Sequence, residues 1–140
     1  MRKRTKAREC ALQVLYQIDI TRDSAKELLS TFWENKKIES EVKDFAAMLV
    51  KGVAENMDRI DEVISKYASN WKLKRMAVID RNVLRLATYE LLFCEDIPPK
   101  VSINEAVDLA KKYGDIDSGK FVNGILDRIN KEEAPGGKAG

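Results

Sequence analysis

Apolar residues recur along most of the chain at spacings of three and four, the period of an amphipathic helix. Ala7, Cys10, Ala11, Val14, Leu15 and Ile18 form the first such stripe and predict a helix from Lys3 to about Asp19. Asp23 or Ser24, with Glu27 three residues beyond the serine, has the form of a capping box. It opens a second helix carrying Leu28, Leu29 and Phe32 and ending near Asn35. A third helix starts near Glu39 and buries Val42, Phe45, Ala46, Leu49 and Val53, and a fourth carries Ile60, Val63, Ile64 and Tyr67, with Asn56 at their junction. The fifth, from about Lys74 to Glu95, is apolar around nearly its whole circumference through Met76, Ile79, Val83, Leu84, Leu86, Ala87, Leu91, Leu92 and Phe93. A helix of that kind belongs in the middle of a bundle. Pro98 and Pro99 then break the chain. Ser102 with Glu105 repeats the capping-box pattern for a sixth helix, which Gly114 stops after Tyr113, and a seventh runs from Ser118 to about Asn130.

The turn-forming residues support the same reading. The first 97 residues contain no proline and a single glycine, Gly52, whereas a turn-rich β fold needs such breakers repeatedly. The expected fold is therefore all-α: about seven helices in two small three-helix-type subbundles, about 1–70 and 71–132, sharing a central helix interface. Ser69 to Trp71 separates four helices from three. The stretch from Glu133 to Gly140 holds Pro135, three glycines and no large apolar side chain, and is expected to be a flexible tail.

At 140 residues, with 44% hydrophobic and 34% charged side chains, the chain has the composition of one soluble domain, 1–132 plus the tail. No apolar run approaches the roughly 20 residues of a spanning helix, and Met1 is followed by charge rather than a signal-peptide core. The expectation is a cytoplasmic protein without a membrane partner. The complete absence of histidine excludes Ser-His-Asp and Cys-His catalysis and every His-based metal motif. Cys10 and Cys94 stand alone in apolar stretches and read as small buried hydrophobes rather than redox thiols.

The net charge of +2 conceals local polarity. Arg2, Lys3, Arg4, Lys6 and Arg8 precede the first acid, Glu9, and a second cluster runs Lys72, Lys74, Arg75, Arg81, Arg85. Both suit an anionic polymer. On a helical wheel at about 100° per residue, Arg2, Thr5, Lys6, Arg8 and Tyr16 share the arc opposite the first apolar stripe. Cations for phosphates beside a flat ring for unstacked bases is what single-stranded nucleic acid requires; an ordinary solvated helix start is the bland alternative. Asp117, Ser118, Gly119 and Lys120 open the seventh helix, where free N–H groups and the helix dipole favour anions, although Asp117 argues partly against phosphate. Gly119 and Gly124 keep that helix thin, for close approach of either helix five or a nucleotide. Glu90 projects from an apolar arc of helix five, so either an internal arginine pairs with it or a partner protein covers it. No carboxylate pair for acid–base work and no phosphate-binding glycine loop is visible. Neither catalysis nor a cofactor nor a metal site is expected.

Several blocks together resemble the NusB family of transcription antitermination factors, over about Arg4 to Ile129. They are Arg4, Ala7, Arg8, Ala11, Leu12 and Tyr16; Arg81 with Leu84-Arg85-Leu86-Ala87 and Tyr89-Glu90-Leu91; Asp96-Ile97-Pro98; Ile103-Asn104-Glu105-Ala106-Val107 with Leu109-Ala110-Lys111; and Lys120-Phe121-Val122-Asn123-Gly124 with Leu126-Asp127. The resemblance implies two three-helix bundles and a non-enzymatic factor that pairs with the small-subunit ribosomal protein NusE. It implies that the pair binds boxA RNA of ribosomal RNA transcripts and joins an RNA polymerase complex that suppresses termination. By that resemblance Arg4 and Arg8 at the start and Ser118, Gly119, Lys120, Phe121 and Asn123 at helix seven face RNA, with Phe121 stacking on a base or packing in the core; the charge run and the wheel add Arg2, Lys3 and Tyr16. Tyr89 and Glu90 face the ribosomal protein. Family members are monomers or dimers, so a homodimer stays open. The same module also precedes ribosomal RNA cytosine methyltransferase domains, for which 140 residues leave no room. The contrasting reading is a helical protein–protein adaptor without RNA contact.

Overall fold

A computed structural model of the chain describes residues 2–68 and 72–133. Within them the fold is all-helical: α1 (Lys3–Thr21), α2 (Ala25–Phe32), α3 (Ser40–Glu55), α4 (Met57–Tyr67), α5 (Val78–Phe93), α6 (Pro99–Tyr113) and α7 (Ser118–Glu133), with one 3-10 turn at Leu73–Arg75. The Ser69–Trp71 separator and residues 134–140 of the expected tail lie outside the described residues. Glu133 belongs to α7, where its carboxylate accepts from Tyr67 Oη at 2.6 Å and Lys66 Nζ at 3.0 Å.

The near-continuous apolar surface of α5 has a direct structural consequence. Val83, Leu84, Leu86, Ala87 and Leu91 are all buried, and α5 packs on α1, α3, α4, α6 and α7. One hydrophobic core draws side chains from all seven helices. α1 packs on α2 and α3 on one side; α6 and α7 pack on each other and on α5. α4 lies mainly against α5 and α7 and touches α3 only lightly, so packing groups it with the C-terminal helices.

Local chemistry explains the helix boundaries. Ser24 Oγ accepts the Glu27 N–H at 3.1 Å, the cap expected from the sequence. Asn56 ends α3 and begins α4, its Nδ2 donating to the Gly52 carbonyl at 2.8 Å. Two boundaries differ from the expectation. α5 starts at Val78 rather than near Lys74, because Met76 and Ala77 are extended and Arg81 Nη1 holds the Leu73 carbonyl of the preceding turn at 3.1 Å. α6 starts at Pro99, since proline suits the first helical position, where no N–H is needed. Ser102 is therefore inside the helix and does not cap it. α2 stops at Phe32, and Asn35 follows in the left-handed region at φ 62°.

Gly52 is fixed by a neighbour in space: a Cβ there would run into the Tyr89 ring. Gly52→Ala is expected to cost about 1–3 kcal/mol through overpacking, offset by up to about 1 kcal/mol of helix propensity. Adding Tyr89→Ala should remove most of that penalty. Denaturant unfolding of the four proteins in this cycle checks it, and additive effects would refute the close approach.

Candidate nucleic-acid interface

The start of α1 carries no side-chain cap and no acidic residue in its first turn. Arg2, Lys3 and Arg4 are exposed and line an open groove of about 460 Å³ together with Ile97, Pro98 and Val101 at the start of α6. The Arg4 guanidinium lies 4.4 Å from the centre of the Phe45 ring on α3, which fixes its direction. Lys3 reaches Glu39 at 3.0 Å and Glu41 at 3.2 Å, both exposed pairs and so weak. Phosphates could meet these cations without displacing any buried group.

Arg8 departs from the wheel. It is 3% exposed, because α5 and α6 cover the side of α1 that the wheel left to solvent. Its Nε and Nη2 donate to Glu90 Oε2 and Oε1 at 2.9 and 2.8 Å, and its Nη1 to Glu105 Oε1 at 3.0 Å. Ser102 Oγ donates to Glu90 Oε1 at 2.8 Å, and Thr5 Oγ1 to Glu105 Oε1 at 2.5 Å. Burial works against the charged guanidinium, yet hydrogen bonds and charge from Glu90, and then from Glu105, outweigh it and hold Arg8 above its ordinary pKa.

Glu90 resolves the same way. At 1% exposure it is not part of a free surface patch, and of its two open readings the internal arginine is the one found. What α5 presents at this end is aromatic: Tyr89 stacks on Phe93 with centroids 5.4 Å apart and planes at 26°. Phe93 is 43% exposed, and Met48 of α3, also exposed, accepts from the Tyr89 hydroxyl at 3.7 Å.

Tyr16 stands 40% exposed, farther along α1. Twelve residues of helix separate it from Arg4, about 18 Å at 1.5 Å per residue. Beside it a pocket of about 340 Å³ is lined by Leu12, Gln13, Ile79 and Tyr113. A second pocket of about 250 Å³, at the start of α7, is lined by Met76, Asp80, Asp115, Asp117 and Phe121. Phe121 is half-buried and packs against the core while lining this pocket. Three carboxylates around it oppose phosphate and offer acceptors to the amino groups of bases. Ser118 and Gly119 are buried, Ser118 Oγ accepting the Asp115 N–H at 2.9 Å. Gly119 approaches Lys111 and Val107 of α6, and Gly124 faces open space, so neither meets helix five. Lys120 and Asn123 are exposed.

The second basic cluster divides. Lys72, Lys74 and Arg75 are exposed, whereas Arg81 and Arg85 turn inward. Arg81 Nε and Arg85 Nη1 reach Asp19 Oδ2 at 2.8 and 3.1 Å, and Arg85 also grips Asp61 with two bonds of 2.9 and 3.0 Å. Asn82 Nδ2 adds a bond to Asp19 at 2.9 Å. Cys10 and Cys94 are both buried, and burial, chiefly, pushes the Cys10 thiol up.

Sequence reasoning missed Phe45, Tyr113 and Glu105 as neighbours of the basic and aromatic residues. Phe45 sat in the apolar stripe of its helix with nothing to mark its exposed edge, and Tyr113 looked like a helix end. Among the described residues no helix is long and apolar enough to cross a membrane, and no group of three or more Cys, Asp or Glu is placed to hold a metal ion.

The NusB family model matches residues 5–131. The transcription antitermination protein NusB of Anaeromyxobacter dehalogenans strain 2CP-1 is 53% identical over 128 residues, covering 91% of this chain and 89% of that one. The solved structure of NusB from T. maritima is 47% identical with a TM-score of 0.89, covering 96% of this chain and 95% of that one. A structure of the antitermination factors NusB and NusE in complex with dsRNA has a chain 36% identical with a TM-score of 0.85, covering 94% and 98%.

Proposed function

The chain belongs to the NusB family, and from that premise we propose that it is a cytoplasmic, non-enzymatic transcription antitermination factor. Together with the ribosomal protein NusE it binds boxA-type single-stranded RNA of ribosomal RNA transcripts and joins the RNA polymerase complex that suppresses termination. The carrying observation is the exposed trio Arg2, Lys3 and Arg4 around one groove, on the same helix that presents Tyr16 beside Tyr113. Cations position the phosphates and the rings accept bases. Lys120, Phe121 and Asn123 extend this surface at α7, while Ser118 and Gly119 support it from inside. The ribosomal protein is assigned to the aromatic end of α5, through Tyr89, Phe93 and Met48. No cofactor is required.

Such a footprint is small, so affinity for RNA is expected to be weak alone and higher with NusE. For about four neutralised phosphates, log K against log salt should fall with a slope near −3, on the single-strand rule of roughly −0.7 per contact. Titrating labelled boxA-type RNA at several salt concentrations, with and without NusE, tests both points. Salt-independent binding overturns the electrostatic reading, and binding of NusE without any RNA leaves the adaptor reading in its place.

A further inference from the structure

We propose that Arg8 is a positioning residue of the RNA-facing edge: its guanidinium is committed inward to Glu90 and Glu105, latching α1 to α5 and α6 and setting where Arg2, Lys3 and Arg4 stand, without itself touching RNA. This rests on the reading that RNA runs past the start of α1.

The first turns of α1 are poorly supported by their own chemistry. Five cations crowd Arg2 to Arg8 and repel one another at the positive end of the helix dipole, where negative charge is favoured. No side chain caps the helix and its first turn contains no acid. A helix end of that composition frays unless tertiary contacts hold it. Part of that hold comes from α3, through Phe45 under Arg4 and the exposed Glu39 and Glu41 beside Lys3; the buried polar contacts come from α5 and α6. Thr5 and Arg8, one turn apart, both reach Glu105, and Arg8 also takes both oxygens of Glu90. Ser102 completes the Glu90 shell. Each of the three guanidinium nitrogens thereby donates to a carboxylate.

Arg8 borders the basic groove but is only 3% exposed, so a phosphate could meet its guanidinium fully only by moving one of these carboxylates. Releasing Glu90 would leave a charge unpaired in the core, which costs more than a single phosphate contact returns. Glu105 differs from Glu90 in lying at the edge of the basic groove, its side chain 18% exposed. A carboxylate beside a phosphate-binding groove repels the ligand at long range. The latch explains why an acid occupies that position.

Glu105 therefore supplies a test in which the two effects have opposite signs. Glu105→Ala removes negative charge from the groove, so electrostatics alone would raise affinity for a labelled boxA-type RNA; loss of the latch lowers it. With circular dichroism confirming that the full chain is folded at the assay temperature, affinity per folded molecule is expected to fall about 3–10-fold. Affinity that is unchanged or raised overturns the proposal. A second variant, Arg8→Gln with Glu90→Gln, removes both charges of the buried pair while keeping an amide-to-amide contact. Its salt slope is expected to match that of the unaltered chain, and a slope shallower by roughly 0.7 would show that Arg8 neutralises a phosphate and overturn the assignment. Arg4→Ala separates the underlying reading. It should weaken binding and flatten the slope by about 0.7; if it does neither, RNA does not pass this end of α1. A fall with Arg4→Ala but not with Glu105→Ala rejects the latch alone.

Discussion

Glu90→Ala is expected to lower folding stability by about 3–5 kcal/mol, the cost of breaking a buried ion pair from one side. Arg8 would be left 3% exposed, with Glu105 as its remaining carboxylate partner and two guanidinium bonds unmade. Ser102 would lose its acceptor as well. Against the roughly 5–15 kcal/mol that holds a typical domain together, a loss of that size removes a large share of the stability. Urea unfolding measures it, and a loss below about 1 kcal/mol would contradict the buried geometry. Replacing both partners by apolar residues of similar volume, Arg8→Met with Glu90→Leu, should recover much of the stability, because no charge is then stranded. Affinity for NusE, taken per folded molecule, should change little, since Glu90 contributes nothing to the exposed surface of α5.

Asp19 is the second residue whose loss should be felt throughout the fold. One oxygen, Oδ2, accepts from Arg81, Asn82 and Arg85, tying the end of α1 to α5, and through Arg85 to Asp61 on α4. Asp19→Ala is expected to cost about 2–3 kcal/mol, somewhat under the figure for a fully buried pair, since Arg81, Arg85 and Asp19 keep slight access to water. Burial raises the Asp19 pKa, but the bonds from Arg81 and Asn82 and the charges of Arg85 and Arg81 outweigh it, so the carboxyl lies below its ordinary value. A folded pKa below the unfolded one means that this contribution is fully present above about pH 4 and is lost as pH falls through the folded value. Unfolding between pH 5 and 2 should therefore show a steeper acid loss for the natural chain than for Asp19→Asn. Parallel profiles would exclude Asp19 as a source of acid sensitivity.

Much of this molecule was legible as periodicity. The stripes of α1, α3 and α4 appear as buried rows at the positions read from the sequence, except that Ile18 and Phe45 are half-buried; Ser24 caps α2, and the apolar circumference of α5 does put it at the centre. The exposed members of the basic start, Arg2, Lys3, Arg4 and Lys6, were legible too, because a run of cations with no acid among them has few internal partners to find. The capping-box reading of Ser102 failed because serine with glutamate three residues on is equally compatible with a helix interior, and Pro99 had already supplied the start.

The sequence by itself determined the helices, their approximate ends, the central place of α5 and the family. What only the tertiary structure decided is the fate of each charge. Arg4 and Arg8 lie one turn apart on the same helix, yet Arg4 faces the groove over Phe45 while Arg8 is enclosed by Glu90 and Glu105. Arg75 is exposed, and Arg81 is paired with Asp19, 62 residues away in the chain. Periodicity reports which side of a helix is apolar, a property of neighbours three and four residues apart. Whether a polar side chain meets water or a buried counter-charge depends on which other helix lies against it, and that is fixed by contacts between residues far apart in the chain.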